Sequence, residues 1–239
     1  MISRCETPPP LPGTAAGVKI ETLLRCYGLG PGNCELWQNC GGGVLCRFDA
    51  RVLLCGRWDA DELSAFLPFL GARSAEGGAD ELPALPGWRE TVLPVLAHGG
   101  APPEPKRLPE PDKNPPGRLV YEILSAADPA FPAGAPYLPW LSDLTRRRNL
   151  GLARFWTLSG AAAAGVIAQG SGLALIAGVA VLPERRGEGL ASRLVGLLAR
   201  DAADRGFTPV AIAGADSLVP FYRRLGFRET GRQRFLTPG

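Results

Sequence analysis

Residues 173–194, LALIAGVAVLPERRGEGLASRL, decide how the rest of the chain is interpreted. Residues 173–182 are almost continuously apolar, which is typical of a central strand covered on both faces of a sheet. Pro183 ends this strand because proline has no N–H to donate to a ladder. From Gly189 onward the apolar residues recur at helical spacing. The segment therefore predicts a strand, a basic glycine-rich turn and the start of a helix.

The turn between strand and helix predicts a site for a pyrophosphate group. A helix N-terminus presents free backbone N–H groups and a partial positive charge. Gly187 and Gly189 let a ligand come close to the backbone, and Arg185 and Arg186 add positive charge. Together these features favour binding of a diphosphate.

The motif Arg-x-x-Gly-x-Ala at 186–191 follows a strand ending in Val-Ala-Val at 179–181. It resembles the acetyl-coenzyme A signature of the GNAT superfamily of N-acetyltransferases, which reads Gln/Arg-x-x-Gly-x-Gly/Ala. P-loop and dinucleotide motifs fit less well, because the chain lacks Gly-Lys-Ser/Thr and has no Gly-x-Gly-x-x-Gly in a strand–turn–helix setting. The resemblance assigns acetyl-coenzyme A binding to Val179, Val181, Arg185, Arg186, Gly187, Gly189, Leu190 and Ala191.

Two further features downstream strengthen the resemblance, which covers residues 117–239. Residues 208–213 form a second apolar run, and Tyr-x-x-Leu-Gly-Phe at 222–227 is similar to the end of the family's closing helix. The resemblance implies an α/β (α+β) fold with a mixed, mostly antiparallel sheet flanked by helices. We expect strands at 118–124, 153–158, 161–169, 173–182, 208–213 and 228–236, with helices at 138–148 and 190–206 and around residue 222.

The resemblance also implies roles in catalysis. Tyr222 matches the family's general acid, because a tyrosine with an ordinary pKa of about 10 is protonated and can donate to a thiolate. A backbone N–H near the end of the central strand is expected to polarise the acetyl carbonyl. The general base stays open between four carboxylates and a water relay. These carboxylates are Glu122, Asp143, Glu184 and Glu229.

Two departures from the family pattern concern the cofactor. Glu188 places a negative charge inside the phosphate turn, which weakens binding unless it points outward. The asparagine often found after the next strand is replaced by Ala-Gly-Ala at 213–215. By order along the chain, Trp140, Asp143 and the arginines at 146–148 fall where the family lines its acceptor pocket, although core packing explains Trp140 equally well.

The positions of proline and glycine predict a division of the chain into four segments. We expect a flexible leader at 1–16, a small α+β domain at 17–97, a proline-rich linker at 98–116 and the acetyltransferase domain at 117–239. Helix–strands–helix order makes 17–97 reminiscent of a degenerate GNAT-like half without a phosphate turn. An unrelated small α+β domain is the alternative.

Composition narrows the partners. Residues 117–239 hold 15 Lys and Arg against 9 Asp and Glu, which suits a polyanionic cofactor. The sequence has no stripe of basic and aromatic residues, so it gives no indication of nucleic-acid binding. The apolar run at 161–182 is divided by Gly-Ser-Gly at 170–172, so we expect a hairpin and no membrane span. The sequence leaves the oligomeric state unknown.

Cysteine usage bears on metal and on location. All 6 cysteines lie before residue 56, no pair has Cys-x-x-Cys spacing, and the single histidine, His98, is distant in the chain. We expect small buried side chains on strands and no metal site. The first residues lack the apolar segment of a signal peptide, so we expect a cytoplasmic protein without disulfides.

These features favour transfer of an acetyl group from acetyl-coenzyme A to a primary amine of a small molecule or protein. One alternative is a non-catalytic acyl-coenzyme A-binding module, motivated by the missing base. Another is an interaction protein whose work lies in the cysteine-rich first domain.

Overall fold

The computed structural model describes residues 2–100 and 109–239. These residues divide into two compact units. Unit 1 comprises Met1–Val95, Ile212–Asp216 and Glu229–Gly239, and unit 2 comprises Leu96–Ala211 and Ser217–Arg228. The linker predicted at 98–116 has its centre, 101–108, outside the described residues. The four-segment division stays a prediction.

Unit 1 is a sheet with two helices. Its elements are β1 (Ile2–Arg4), α1 (Ala15–Tyr27), β2 (Glu35–Asn39), β3 (Val44–Phe48), β4 (Arg51–Cys55), α2 (Ala60–Phe69) and β5 (Ser74–Gly78). Strands β1 to β4 pair antiparallel in chain order. Strand β5 then returns parallel to β4, with α2 as the crossover.

The apolar faces of these elements make the core of unit 1. Thr14 begins α1 by accepting a hydrogen bond from the Gly17 amide, and Ile20 and Leu23 are then buried one turn apart. Cys34, Cys46 and Cys55 pack against them as small apolar side chains, as the sequence predicts, whereas Cys40 is exposed. The buried cysteines are Cys26, Cys34, Cys46 and Cys55.

Residues 2–4 differ from the flexible leader expected at 1–16. They form β1, which pairs with β2 over Ile2↔Asn39 to Arg4↔Trp37. The Arg4 guanidinium also contacts the Glu35 carboxylate at 2.7 Å. A strand this short has no recognisable period, so only its distant partner reveals it.

Unit 2 contains the segment that resembles an acetyltransferase. Its helices are α3 (Gly117–Ala127), α4 (Phe131–Gly134), α5 (Tyr137–Asn149), α6 (Leu190–Asp204) and α7 (Val219–Arg224). Its strands are β7 (Arg154–Leu158), β8 (Ala162–Gly170), β9 (Leu173–Val181) and β10 (Thr208–Ile212), the last residue of which belongs to unit 1. Two strands are divided between the units, β6 (Trp88–His98) and β11 (Phe227–Pro238).

The sheet of unit 2 repeats the plan of unit 1. Strands β7, β8 and β9 form an antiparallel meander, α6 follows, and β10 lies parallel to β9. Strands β2, β3 and β4, helix α2 and strand β5 have the same order and the same pairing directions. A degenerate GNAT-like copy in the N-terminal half would have this shared plan, and that interpretation stays a prediction.

The predicted strand at 118–124 is wrong, because α3 occupies this segment. Val120, Ile123 and Leu124 are buried on one helical face, with exposed fractions of 0%, 2% and 6%. Pro116 stands at the N-cap position, where its fixed φ and missing N–H do no harm. The apolar spacing of three and four residues was therefore a helical signal.

The remaining strand and helix predictions of the C-terminal half are confirmed within a few residues. The fold is mixed α/β, and its sheet is mostly antiparallel, as expected. Among the described residues, none of the helices combines the length and apolarity of a membrane span.

Candidate functional site

The N-terminus of α6 is open towards a ligand. Gly189 occupies the N-cap position in the left-handed conformation, with φ 83°, and among the described residues no side chain caps the helix. A residue with a Cβ is strained at this φ. The amide groups of the first turn are thus left for another acceptor.

Helix α2, at the equivalent place in unit 1, has an N-terminus that is capped by a side chain. The Asp59 carboxylate accepts hydrogen bonds from the amides of Asp61 and Glu62, each at 3.0 Å. Asp61 and Glu62 also place negative charge in the first turn. The capped amides and acidic first turn of α2 disfavour a phosphate there, whereas no side chain of the described residues caps the first amides of α6.

The charge of Glu188 is compensated inside the turn. Its two carboxylate oxygens accept from Nε and Nη2 of Arg185 at 2.6 and 2.8 Å. The hydrogen bonds and charge of the pair raise the pKa of Arg185 and lower the pKa of Glu188. The pair reduces the repulsion expected of Glu188, but it also occupies one face of the Arg185 fork.

Arg186 fixes the turn to its surroundings. Its Nη2 donates to the Ala127 carbonyl at the end of α3 at 3.2 Å, and its Nε contacts the Val181 carbonyl at 3.4 Å. The guanidinium is exposed and has donors left over. Arg186 can therefore position the turn and still meet a phosphate oxygen.

Strand β9 carries a bulge just before the turn. Its register with β8 passes from Ala163↔Ala180 to Gly165↔Ala177, so β9 has two residues where β8 has one. Gly178 lies in this irregularity with φ 61°. A β-bulge interrupts the ladder and leaves the extra residue unpaired, so it can aim a backbone N–H at a ligand.

On its other edge, β9 pairs with β10 over only part of its length. The parallel pairing of the two strands runs from Thr208↔Leu173 to Ala211↔Ile176. Beyond Ile176, residues 177–179 are half-buried although the residues on either side are buried. The bulge therefore lies where β9 becomes accessible.

The turn at 185–191 has open space beside its two glycines. An ideal Cβ built on Gly187 or on Gly189 meets no described atom within 4 Å, so both positions border open space. An uncapped helix N-terminus, two glycines and two arginines therefore suit a coenzyme A pyrophosphate. The structure brings together all the cofactor-site residues predicted from the sequence, namely Val179, Val181, Arg185, Arg186, Gly187, Gly189, Leu190 and Ala191.

The structure limits what Leu190 can contribute to the predicted cofactor site. Its side chain is 2% exposed and packs in the core, so only its backbone can face a ligand. Gly178 was missed by the sequence reasoning, although an isolated glycine inside an apolar strand is itself a bulge signal. The Gly178 backbone lies against the Phe155 ring, since a Cβ there would be 2.7 Å from Cε1.

Tyr222 lies on α7 in an aromatic cluster. Its ring contacts those of Phe221 and Phe227, with centroids 5.0 and 5.6 Å apart. Burial raises the pKa of Tyr222 to about 12, so its hydroxyl is protonated at neutral pH. Within the described residues these ring contacts do not join Tyr222 to the turn at 185–191.

His98 belongs to the same cluster and was not predicted as a functional residue. Its ring contacts Phe227 at 5.0 Å, and its Nε2 is buried without a hydrogen-bond partner among the described residues. Burial lowers the pKa of His98, opposed by a hydrogen bond to the Leu225 backbone. The imidazole is therefore neutral at physiological pH.

The carboxylates proposed as general bases lie mostly in ion pairs. Glu122 contacts Arg118 at 2.8 Å, Asp143 contacts Arg147 at 2.9 Å, and Glu229 contacts Arg232 at 3.4 Å. Glu184 is exposed in the 3₁₀ turn that follows β9. Three of the four candidates are therefore already engaged by a cation.

An aromatic cluster extends from the bulge across the helices that precede β7. Phe155 contacts Trp140 at 6.2 Å, and Trp140 contacts Tyr121 at 5.3 Å. Tyr137 lies beyond Tyr121 at 4.9 Å. Trp140 thus packs in an aromatic cluster next to the bulge. This position is compatible with core packing and with lining an acceptor pocket.

The described geometry is a mixed α/β domain in which an uncapped helix N-terminus follows a bulged strand. Residues 118–227, a little under half of the chain, match the family model "Acetyltransferase (GNAT) family". The segment includes the turn, the bulge and Tyr222. Acyl transfer is the activity that the family and the fold support.

Solved structures are similar in fold over most of the chain. A GCN5-related N-acetyltransferase from Kribbella flavida has a TM-score of 0.64 and 20% identity, covering 94% of each chain. One from Sphaerobacter thermophilus has a TM-score of 0.58 and 20% identity, covering 87% of this chain and 82% of that chain. A putative GNAT-family acetyltransferase from Novosphingobium aromaticivorans DSM 12444 has a TM-score of 0.56 and 24% identity, covering 82% and 88%. No curated protein matches.

Proposed function

We propose that this protein transfers the acetyl group of acetyl-coenzyme A to a primary amine of a small molecule or protein. The observation that carries the proposal is the uncapped N-terminus of α6 directly behind the bulge in β9. Acetyl-coenzyme A would supply an activated thioester and a thiol that can leave. The family match over 118–227 supports the acyl transfer.

The turn would hold the pyrophosphate through backbone and side chain together. The amides of the first turn of α6, from Leu190 and Ala191 onward, would donate to phosphate oxygens. Gly187 and Gly189 would allow the close approach, and Arg185 and Arg186 would add charge. Val179 and Val181, half-buried on β9, would line the groove beside the pantetheine arm.

The bulge would supply the group that stabilises negative charge on the acetyl oxygen. A backbone N–H at Gly178 or Val179, released from the regular ladder, is fixed in place before the reaction. Such preorganised donors need no reorganisation when charge develops. Phe155 would hold this backbone in place by packing against Gly178.

Tyr222 would donate its hydroxyl proton to the departing thiolate. A pKa of about 12 keeps the proton on Oη at physiological pH. It also makes the tyrosine a weaker acid than usual, so a moderate contribution is expected. The amine must lose a proton as well, and we propose that water takes it. The cytoplasmic location expected from the sequence stays a prediction.

The test is release of free coenzyme A thiol with a panel of amines, followed by mass spectrometry of the products. The panel should contain alkyl amines, aromatic amines and a lysine peptide. We expect thiol release that depends on one class of amine and yields its acetyl derivative. Binding of acetyl-coenzyme A without any acetylated amine would instead indicate an acyl-coenzyme A-binding module.

A further inference from the structure

Unit 1 contains a cavity of its own, at the end of β4. Its volume is about 390 Å³, and its walls include Leu11, Val44, Cys55 and Glu81. Pockets that bind small molecules are mostly apolar, occupy about 300–1,000 Å³ and carry few polar groups. This cavity has that size and that composition.

The Cys55 thiol in the wall of this cavity has low reactivity. Cys55 is 1% exposed. Burial raises the pKa of Cys55 to about 12, and the charges of Glu81 and Glu76 add to this, against a contact with Thr14. The thiol is therefore protonated at neutral pH, so it acts neither as a nucleophile nor as a metal ligand.

The carboxylate in the wall lacks a positive partner. Glu81 lines the cavity, and no Lys, Arg or His of the described residues forms an ion pair with its carboxylate. Its neighbour Glu76 contacts Lys19 at 2.5 Å. A half-buried carboxylate without a cation costs free energy, and a cation that enters the cavity would offset that cost.

The two halves differ in the charge at the helix N-terminus that follows the equivalent strands β9 and β4. In unit 2 the strand β9 leads to an uncapped helix that attracts anions. In unit 1 the equivalent strand β4 leads to α2, whose first amides are taken by Asp59. A phosphate-bearing ligand is therefore disfavoured at the N-terminus of α2. In the cavity itself, the Glu81 carboxylate disfavours an anion and suits a positive group.

We propose that this cavity binds a small organic cation of the alkylammonium class. The ammonium group contacts the Glu81 carboxylate, and the hydrocarbon part packs against Leu11 and Val44. A metal ion does not suit the site, since the described residues contain no cluster of three or more groups that could ligate one. The proposal stands independently of the acetyl transfer in unit 2.

The experiment is a titration of the ¹⁵N-labelled full chain with butylammonium chloride, followed by amide chemical shifts. Butanol is the neutral control of similar size. Glu81→Gln removes the charge and keeps the shape of the side chain. Asp80→Asn is the matched control, because Asp80 is the adjacent, exposed carboxylate and does not line the cavity.

We expect butylammonium to shift the amides of Val44, Cys55 and Gly56, with millimolar affinity. Affinity should fall at least tenfold in Glu81→Gln and stay unchanged in Asp80→Asn. Equal binding of butanol, equal binding by Glu81→Gln, or no shift in the cavity would overturn the proposal. If Glu81→Gln fails to fold, the comparison of butylammonium with butanol in the wild type decides.

Discussion

Replacement of Gly178 by alanine tests the bulge on which the proposed chemistry depends. Two costs add at this position. A φ of 61° places alanine in the left-handed region, at about 1–2 kcal/mol. The new Cβ also lies 2.7 and 2.9 Å from the ring of Phe155, and such overpacking costs about 1–3 kcal/mol. The free energy of unfolding should therefore fall by about 2–5 kcal/mol.

Gly172→Ala is the matched control, because Gly172 has a φ of 75° but no described atom within 4 Å of a Cβ. It should lose only the backbone part, about 1–2 kcal/mol. Urea unfolding measures both variants. In a double-mutant cycle, Phe155→Leu should recover part of the loss in Gly178→Ala. Equal losses at the two glycines, with no coupling to Phe155, would refute this account of the bulge.

Two further variants test the cluster around Phe227. Tyr222→Phe should lower turnover about tenfold to a hundredfold without changing acetyl-coenzyme A affinity, as measured by steady-state kinetics and calorimetry; unchanged turnover would make Tyr222 a packing residue. His98 has a pKa below its ordinary value of 6.5, so folding stability should fall as pH drops below 6.5 and the unfolded chain takes up the proton first. Melting temperatures between pH 7.5 and pH 5 should fall less in His98→Asn, and parallel curves would contradict the assignment.

The strand–turn–helix unit was predictable because its signals are local. The apolar run, Pro183 and the change of period at Gly189 each restrict the backbone within a few residues. The motif at 186–191 then indicated the ligand class by its resemblance to a family. Residues far apart in the chain played no part in that inference.

The errors arose where distant contacts decide. The segment 118–124 is an exception, because the spacing of Val120, Ile123 and Leu124 was a local helical signal that the strand prediction overlooked. Strand β1 exists only because β2 offers an edge to pair with. The ion pair between Arg185 and Glu188 also depends on turn geometry, so the sequence alone did not show that Glu188 has a positive partner inside the turn.

The bulge was a local signal that the sequence reasoning left unused. Gly178 interrupts an apolar strand, and a glycine there indicates a bulge or a close approach. Its meaning became clear only with the Phe155 ring against it. The predicted cofactor residues remain a prediction until a ligand is measured on them.

The most direct test of the central claim is isothermal calorimetry of acetyl-coenzyme A with the wild type and with Gly189→Glu. A carboxylate at the N-cap of α6 would close the helix as Asp59 closes α2, and it would repel the pyrophosphate. The dissociation constant should rise at least tenfold, about 1.4 kcal/mol. Gly206→Ala is the control, since Gly206 also has a positive φ, 80°, and open space around it, at the far end of α6. Unchanged affinity in a folded Gly189→Glu variant would contradict the claim that the N-terminus of α6 holds the phosphates.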